Sequence, residues 1–247
     1  MHPAKKTILF FYSIYCGVSF ITIMIGLSPF VFLSLPFGKV KGGNMIYDIC
    51  RIWGRTWYTV IGIRHQEKHE VPREKKQYIF VANHISYLDI PSAVLGIAQP
   101  FRALGKAEMK VVPVFGWIYR IAVVMVNRKS AADRAKSIRS LKAVLKKGIS
   151  ILIFPEGTFN ETGKTLGHFY DGAFRIAIET QTPIKPLLLI DTLKRMHYRS
   201  LFEINPGINR VIHLEEVDVT GYTLDDVQLL KEKVKEQMRE GLERYAQ

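Results

Sequence analysis

The chain has 247 residues and a formal net charge of +13, from 35 Lys and Arg against 22 Asp and Glu. This length allows one large domain with a membrane-attachment element, and a core of that size needs no disulfide or metal. Cys16 and Cys50 lie in separate apolar stretches, and no Cys/His spacing typical of a zinc site is present. The positive charge indicates an anionic partner, but no zinc-finger or RNA-binding aromatic pattern accompanies it, so a lipid surface is favoured over nucleic acid.

The first predicted element is a run of 32 uncharged residues, 7–38. A spanning helix needs about 20 residues and a signal-peptide core about 7–15, so the run predicts a retained membrane segment. Lys5 and Lys6 precede the run and further basic residues follow it, so the positive-inside rule selects no orientation. Because Pro29 interrupts the run, we favour a re-entrant hairpin with both ends on the cytoplasmic face over a single span.

A second helix is predicted over residues 44–64, with two tryptophans and several aliphatic residues near one face. Trp and Arg together are typical of a helix at a membrane interface, and an ordinary core-packing helix fits the pattern equally well. We place a domain boundary at its end. Residues 1–64 are predicted to form a membrane-associated helical segment, and residues 65–247 form the domain that follows.

Beyond Pro72 the sequence alternates apolar runs with helical patterns. Apolar runs without polar alternation indicate strands covered on both faces, and they occur at residues 78–82, 121–126, 149–154 and 187–190. Helices are predicted at residues 130–147, 172–180 and from 223 onward, the first because Ser130 and Asp133 form a capping pattern. The predicted fold is α/β, a mixed, largely parallel sheet flanked by helices, with an N-terminal hydrophobic anchoring segment.

The stretch after the strand at 78–82 carries the first chemical candidate. Asn83 and His84 end the strand, and Ser86 and Asp89 fit the first turn of a helix, with Ser86 near the N-cap and Asp89 at N3. A carboxylate that folds back onto one ring nitrogen of His84 fixes the tautomer and leaves the other nitrogen free to accept a proton. Taken alone, the pattern also fits a capped helix with an incidental turn histidine.

Other candidates follow later strands. Residues 154–158 (Phe-Pro-Glu-Gly-Thr) leave a buried strand where open α/β sheets place ligands. Arg128 follows another strand, where its planar fork suits a phosphate, and Lys106 adds a second positive charge. Pro183 and Pro186 bracket the start of a strand. Each of these also has an ordinary structural explanation as a turn or an exposed basic loop.

In this order the stretches resemble the PlsC-like glycerolipid acyltransferases, the 1-acylglycerol-3-phosphate acyltransferase family. The matches in chain order are Asn83-His84-x4-Asp89, an Arg after an apolar strand preceded by Gly (residues 116–128), Phe-Pro-Glu-Gly-Thr (154–158) and Pro-x-x-Pro (183–186). The resemblance covers residues 78–190. His-x4-Asp followed about seventy residues later by Phe-Pro-Glu-Gly-Thr is a specific combination.

Two stretches depart from the family pattern. Phe159 and Asn160 follow Thr158, where the family often has Arg-Ser. Residues 169–172 read Phe-Tyr-Asp-Gly, where Phe-Lys-x-Gly is frequent. Two positive charges often placed near the acceptor phosphate are therefore missing, which leaves the catalytic pair intact and the acceptor open.

The resemblance implies transfer of a fatty acyl group from a thioester, acyl-CoA or acyl carrier protein, to the free hydroxyl of lysophosphatidic acid, giving phosphatidic acid. The chain has no Gly-x-Ser-x-Gly elbow, so the substrate hydroxyl is expected to be the nucleophile, with His84 as general base and Asp89 as its orienting partner. Backbone amides after Ser86 are expected to stabilise the oxyanion. No metal or cofactor is required.

The residues expected to bind the acceptor are Asn83, Lys106, Arg128, Glu156, Gly157 and Thr158. Among them, Glu156 is expected to orient Arg128 or to bind a glycerol hydroxyl, because a carboxylate does not bind a phosphate directly. The implied location is a membrane, with the catalytic domain on the cytoplasmic face, as in the inner membrane of a bacterium. The expected partners are a membrane lyso-lipid and the acyl donor, with no nucleic acid.

Two alternatives stay open. An acyltransferase for another lyso-lipid acceptor fits Phe159 and Tyr170. A non-catalytic, membrane lipid-binding protein on the same fold fits the architecture, but it gives no reason to retain both His84 and Asp89. A nucleic-acid-binding module leaves the uncharged N-terminal run unexplained.

Overall fold

A computed structural model of the chain describes residues 3–111, 115–126 and 130–245. Its strands are β1 (Ile63–His69), β2 (Ile79–Ala82), β3 (Phe101–Lys106), β4 (Val123–Val126), β5 (Ser150–Ile153), β6 (Ile184–Leu189) and β7 (Gly207–His213). They form one sheet in the order β1-β7-β6-β2-β5-β3-β4, in which β6 and β7 pair antiparallel and the other neighbours pair parallel. The predicted mixed, largely parallel α/β sheet is confirmed.

Helices cover both faces of this sheet. They are α1 (Pro3–Ser34), α2 (Gly43–Val60), α3 (Asp89–Gly96), α4 (Phe115–Ala122), α5 (Ala131–Leu145), α6 (Gly172–Thr180), α7 (Thr192–Arg195) and α8 (Val227–Tyr245). Apolar side chains of α5, α6 and α8 share one core with β2, β5 and β6. Side chains of α1, α2, α3 and α4 form a second core.

The strand and helix predictions are confirmed in most of the domain. All residues of β2, β5 and β6 are buried, as their apolar runs predict. The Ser130 hydroxyl accepts a hydrogen bond from the Asp133 amide at the start of α5, and α6 has the predicted bounds. The strand predicted at residues 121–126 is shortened by a helix: Ile121 and Ala122 end α4, where they pack against the second core, and β4 begins at Val123.

The N-terminal segment differs from the prediction at Pro29. The break predicted there is wrong, since α1 continues through Pro29 to Ser34. Proline has no N–H to donate to the carbonyl four residues earlier, and the Ser28 hydroxyl donates to that Ile25 carbonyl at 2.7 Å instead. The chain reverses at residues 35–42, where Gly42 approaches the Ser34 carbonyl so closely that a Cβ would lie 2.3 Å from it. The hairpin is therefore formed by α1 and α2.

The second helix is shorter than predicted and packs as a core helix. It ends at Val60, and after Gly62 with φ of +61° the chain enters β1 at Ile63. The predicted domain boundary between residues 64 and 65 thus falls inside a strand. The two tryptophan indoles donate to backbone carbonyls of α1, Trp53 at 3.2 Å and Trp57 at 3.0 Å, so they join the two helices.

Candidate active site

The carboxyl ends of β2, β3, β4, β5 and β6 meet at one edge of the sheet because these strands are parallel. His84 follows β2, Glu156 follows β5 and Lys106 ends β3. Arg128 follows β4 in the sequence and lies outside the described residues. The topology therefore brings His84, Glu156 and Lys106 to the edge where α/β sheets bind ligands, whereas Pro183 and Pro186 lie at the opposite end of the sheet, around the start of β6.

Asn83 connects two strands at this edge. Its side-chain amide donates to the Leu189 carbonyl at 3.0 Å and its side-chain oxygen accepts from the Leu189 amide at 2.8 Å. The side chain is buried, and both ends of its carboxamide are occupied by β6. These contacts support a positioning role, in which Asn83 holds the end of β2 from which His84 projects, and its expected contact with the acceptor stays a prediction.

Asp89 organises the turn that carries His84. Its Oδ2 lies 2.8 Å from His84 Nδ1 and accepts from the amides of Ile85 at 2.6 Å and Ser86 at 2.8 Å. Its Oδ1 accepts from the Thr192 hydroxyl at 2.6 Å, and the carboxylate is fully buried. Because the carboxylate only accepts, Nδ1 carries the proton and Nε2 carries the lone pair. The predicted contact between His84 and Asp89 is present.

Helix α3, which follows the His84 turn, begins later than the sequence predicts. The prediction placed Ser86 at the N-cap, whereas α3 begins at Asp89 after a turn. The Ser86 hydroxyl donates to the Met196 carbonyl at 2.6 Å and accepts from the Leu88 amide at 3.1 Å. The amides of Ile85, Ser86 and Leu88 are thus all occupied within the turn. The expected oxyanion stabilisation by amides after Ser86 stays a prediction, with the Leu88 amide already occupied.

The imidazole of His84 is held by aromatic rings and open at one nitrogen. The Phe154 ring stacks on it with centroids 4.2 Å apart, and the Phe159 ring contacts it at 4.4 Å. Within the described part of the chain, His84 Nε2 has no hydrogen-bond partner, and the side chain is 20% exposed. The ring is therefore fixed in orientation while its basic nitrogen is available to a substrate proton.

Glu156 accepts hydrogen bonds from two backbone amides, one of them that of His84. One carboxylate oxygen accepts from the His84 amide at 2.9 Å and the other from the Gly167 amide at 2.8 Å. Burial raises the pKa of Glu156, and these two donors oppose that rise. A Cβ at Gly167 would lie 2.6 Å from the carboxylate, so the loop can approach only with glycine there. These contacts support a positioning role for Glu156. Arg128 lies outside the described residues, so the expected role of Glu156 toward Arg128 or a glycerol hydroxyl stays a prediction.

The remaining predicted residues have different surroundings. Gly157 has a φ of +73° and donates to the Phe154 carbonyl at 3.0 Å, so it shapes the turn after β5. Thr158 and Lys106 are exposed at the same edge of the sheet. These two side chains are available to a ligand, so their predicted acceptor contacts stay predictions.

Several residues at the site were not assigned by sequence reasoning. Thr192 contacts Asp89 from the start of α7, and no local pattern indicates it. Tyr87 and Tyr198 contact the Phe159 ring, with centroids 4.9 Å and 5.9 Å away. The aromatic cluster beside His84 therefore consists of Phe154, Phe159, Tyr87 and Tyr198. The departure from the family pattern at Phe159 was the available signal for this cluster.

Comparison with known proteins agrees with this geometry. The Acyltransferase family model matches residues 62–190, which include the sheet edge with His84, Asp89 and Glu156. The chain belongs to the acyltransferase family. A 1-acyl-sn-glycerol-3-phosphate acyltransferase of Salmonella typhimurium is 31% identical over 191 residues, which are 71% of this chain and 75% of that protein.

Other members of the acyltransferase family differ in length. A chloroplastic 1-acyl-sn-glycerol-3-phosphate acyltransferase of Arabidopsis thaliana is 30% identical over 219 residues, covering 85% of this chain and 60% of that protein. This chain spans 56% of the corresponding Brassica napus protein. The crystal structure of PlsC, an acyltransferase from Thermotoga maritima, superposes with a TM-score of 0.77 at 22% identity over 99% of this chain and 97% of that one. This similarity shows the shared fold.

Proposed function

We propose that the chain transfers a fatty acyl group from a thioester donor, acyl-CoA or acyl carrier protein, to the free hydroxyl of lysophosphatidic acid, giving phosphatidic acid. The observation that carries the proposal is the 2.8 Å contact of His84 Nδ1 with the buried Asp89 carboxylate, together with the open Nε2. The names of relatives from a plant and a bacterium support the choice of reaction and acceptor.

The mechanism uses His84 as a general base. Its Nε2 takes the proton from the acceptor hydroxyl while that oxygen attacks the thioester carbonyl carbon. The tetrahedral intermediate then collapses, the carbon–sulfur bond breaks, and the departing sulfur receives the proton from the imidazolium. Asp89 stabilises the imidazolium formed between these steps. General-base assistance of this kind is typically worth about 10²–10⁴ in rate. The thioester is already activated, so the scheme needs no metal.

The acceptor phosphate is proposed to contact Arg128, with Lys106 as a second cation. Lys106 ends β3 and Arg128 follows β4 in the sequence, and these parallel strands both end at the His84 edge, where Lys106 is exposed. Strands β3 and β2 are separated only by β5, which corresponds to about 10 Å at the usual strand spacing of about 4.8 Å. The glycerol backbone between the phosphate and the hydroxyl, together with the long Lys106 side chain, bridges this distance.

Membrane attachment is proposed to occur through the helical hairpin of α1 and α2. One candidate membrane span is found among the described residues, within Lys6–Val60, and 17% of its most apolar window is buried. Large apolar side chains of α1 face outward, including Ile8, Phe11 and Leu33, which are 64–68% exposed. Exposed apolar surface of this extent marks an interaction site. We place the catalytic domain on the cytoplasmic face, as in a bacterial inner membrane.

A second acceptor class is favoured by one observation. Phe159 occupies the position next to His84 where an arginine is frequent in the family, and it packs against aromatic rings. An aromatic residue there supplies no charge for a phosphate monoester. The second candidate function is therefore acyl transfer to a lyso-lipid whose headgroup covers the phosphate.

A panel of acceptors tests both candidates. The full chain in vesicles receives one acyl-CoA and, separately, lysophosphatidic acid or lyso-lipids with larger headgroups, and thiol release is followed. Lysophosphatidic acid is expected to give the highest kcat/KM. A higher kcat/KM with another lyso-lipid would identify that lipid as the preferred acceptor. If no lyso-lipid increases thiol release, the proposed acyl transfer is wrong.

A further inference from the structure

A cluster of metal-binding side chain types lies away from the candidate active site. His65, Glu67 and His69 share one face of β1, because alternate residues of a strand point to the same side. The parallel pairing of β1 with β7 places His69 opposite His213. One ligand atom from each of Glu67, His69 and His213 lies within 4.8 Å of the other two.

We propose that Glu67, His69 and His213, here called the β1–β7 cluster, bind a divalent transition-metal ion such as Zn²⁺. Imidazole nitrogen and carboxylate oxygen are ordinary zinc ligands, with bonds of about 2.0–2.2 Å. Tetrahedral coordination at these bond lengths places ligand atoms about 3.4 Å apart. The present separations of up to 4.8 Å require side-chain adjustments of about 1 Å to reach that geometry.

The surroundings of His213 match those of a metal ligand. Its Nε2 lies 3.1 Å from the Gly96 carbonyl, so Nε2 carries the proton and donates it. Nδ1 is left with a lone pair. Metal-binding histidines usually donate their second ring nitrogen to a carbonyl or carboxylate in this way, which fixes the tautomer and the ring. The His213 side chain is buried, so it is the rigid member of the cluster.

His69 is the adjustable member. Its ring stacks on His213 with centroids 4.1 Å apart and planes within 12°. Two parallel rings cannot direct their lone pairs at the same ion, so His69 must rotate out of the stack when the ion binds. It is free to do so because β1 is an edge strand and the side chain is 25% exposed. Its Nε2 is already 3.6 Å from a Glu67 carboxylate oxygen.

His65 supplies a further nitrogen beside Glu67. Its Nε2 lies 3.6 Å from the other carboxylate oxygen of Glu67 and is buried with no hydrogen-bond partner in the described chain. A buried, unpartnered ring nitrogen is costly to leave in a folded protein. The side-chain amide of Asn209 lies 3.4 Å from His65 Nδ1, so Nδ1 accepts and Nε2 carries the proton. His65 therefore orients the Glu67 carboxylate and does not coordinate the ion.

The ligand types select the kind of ion. Arg73, Glu74 and Lys185 line the small cavity beside His69 and His213, and together with Glu67 they give two positive and two negative charges. This balance does not distinguish one divalent ion from another. Ca²⁺ and Mg²⁺ prefer shells made of oxygen ligands. An imidazole-rich cluster favours Zn²⁺ and similar ions.

The cluster lies on the opposite edge of the sheet from His84. Strand β7 runs antiparallel to β6, so the carboxyl ends of β1 and β7 point away from the carboxyl ends of β2 and β5. An ion here joins the edge strand β1 to the rest of the sheet. Its expected effect is on stability and not on the chemical step, which distinguishes this inference from the proposed acyl transfer.

The test uses the untagged full chain after treatment with a chelator. ZnCl₂ is titrated by calorimetry, and the melting temperature is measured with and without Zn²⁺. We expect about one tightly bound equivalent and a saturable rise in melting temperature, because an ion that binds only the folded state stabilises it. Mg²⁺ is expected to produce no such rise.

Matched variants identify the ligands. Glu67→Gln and His69→Asn are each expected to weaken Zn²⁺ binding at least tenfold while keeping the metal-free melting temperature. His168→Asn, a change of an exposed histidine outside the cluster, is expected to bind Zn²⁺ normally. The proposal is overturned if the wild-type chain binds no stoichiometric Zn²⁺, if Mg²⁺ stabilises it equally, or if the two cluster variants bind as tightly as His168→Asn.

Discussion

Asp89→Asn separates the charge of Asp89 from its geometry. An asparagine oxygen in place of Oδ2 still accepts from His84 Nδ1 and from the amides of Ile85 and Ser86. Its NH₂ group then faces the Thr192 hydroxyl, which accepts instead of donating. All hydrogen bonds are retained in this arrangement. The substitution therefore removes only the negative charge that stabilises the imidazolium.

The size of the effect follows from that charge. Two unit charges about 4 Å apart interact by about 4 kcal/mol at an effective dielectric constant of about 20. This energy corresponds to about a 10³-fold loss in kcat/KM. The change in unfolding free energy is expected to stay below about 3 kcal/mol, because weaker neutral hydrogen bonds are offset by removal of a buried charge.

The assay is thiol release from acyl-CoA with lysophosphatidic acid, with urea denaturation as the stability measurement. Thr192→Val is the control, because it removes the hydroxyl that contacts Asp89 on the side away from His84. We expect it to lower kcat/KM by less than about tenfold. When His84 is already alanine, adding Asp89→Asn should lower kcat/KM by less than about threefold, because the effects of residues that act as a unit are not additive. If kcat/KM of Asp89→Asn stays within tenfold of wild type, or if Thr192→Val lowers kcat/KM as much as Asp89→Asn does, the Asp89 charge does not stabilise the imidazolium.

Three further substitutions test neighbouring assignments. Glu156→Gln leaves either the His84 amide or the Gly167 amide without an acceptor. We therefore expect the unfolding free energy in urea to fall by about 1–3 kcal/mol and kcat to fall 10–100-fold. Wild-type stability together with wild-type kcat would contradict the positioning role. Arg128→Ala should raise KM for lysophosphatidic acid by about 10–100-fold with kcat little changed. An unchanged KM would show that Arg128 does not bind the phosphate. Phe159→Arg should increase the preference for lysophosphatidic acid over larger lyso-lipids by about tenfold, whereas an unchanged ratio of kcat/KM values would show that this position does not reach the phosphate.

Local patterns predicted much of the fold and the centre of the site. Apolar runs identified the buried strands, and the spacing of His84 and Asp89 within one turn was short enough for their contact to be foreseen. The bond from Asn83 to Leu189 and the bond from Glu156 to the His84 amide depend on which strands become neighbours. Sequence spacing carries no information about that pairing, so both residues were assigned to the substrate.

The N-terminal hairpin shows a second kind of limit. Proline in an uncharged run predicts a break, but one serine hydroxyl satisfies the carbonyl that Pro29 leaves free, and the helix continues. The packing of Trp53 and Trp57 against α1 likewise depends on a tertiary contact between two helices. Composition alone left these tryptophans equally suited to a lipid interface.

The central claim is that His84 is the general base for attack by the acceptor hydroxyl. The most direct measurement compares His84→Ala with wild type in acceptor-dependent thiol release, with His168→Ala as a control for loss of an exposed histidine. We expect thiol release at the uncatalysed background for His84→Ala, normal release for His168→Ala, and equal recovery of all three proteins in the membrane pellet. Near-wild-type release by membrane-bound His84→Ala would show that His84 is not the general base.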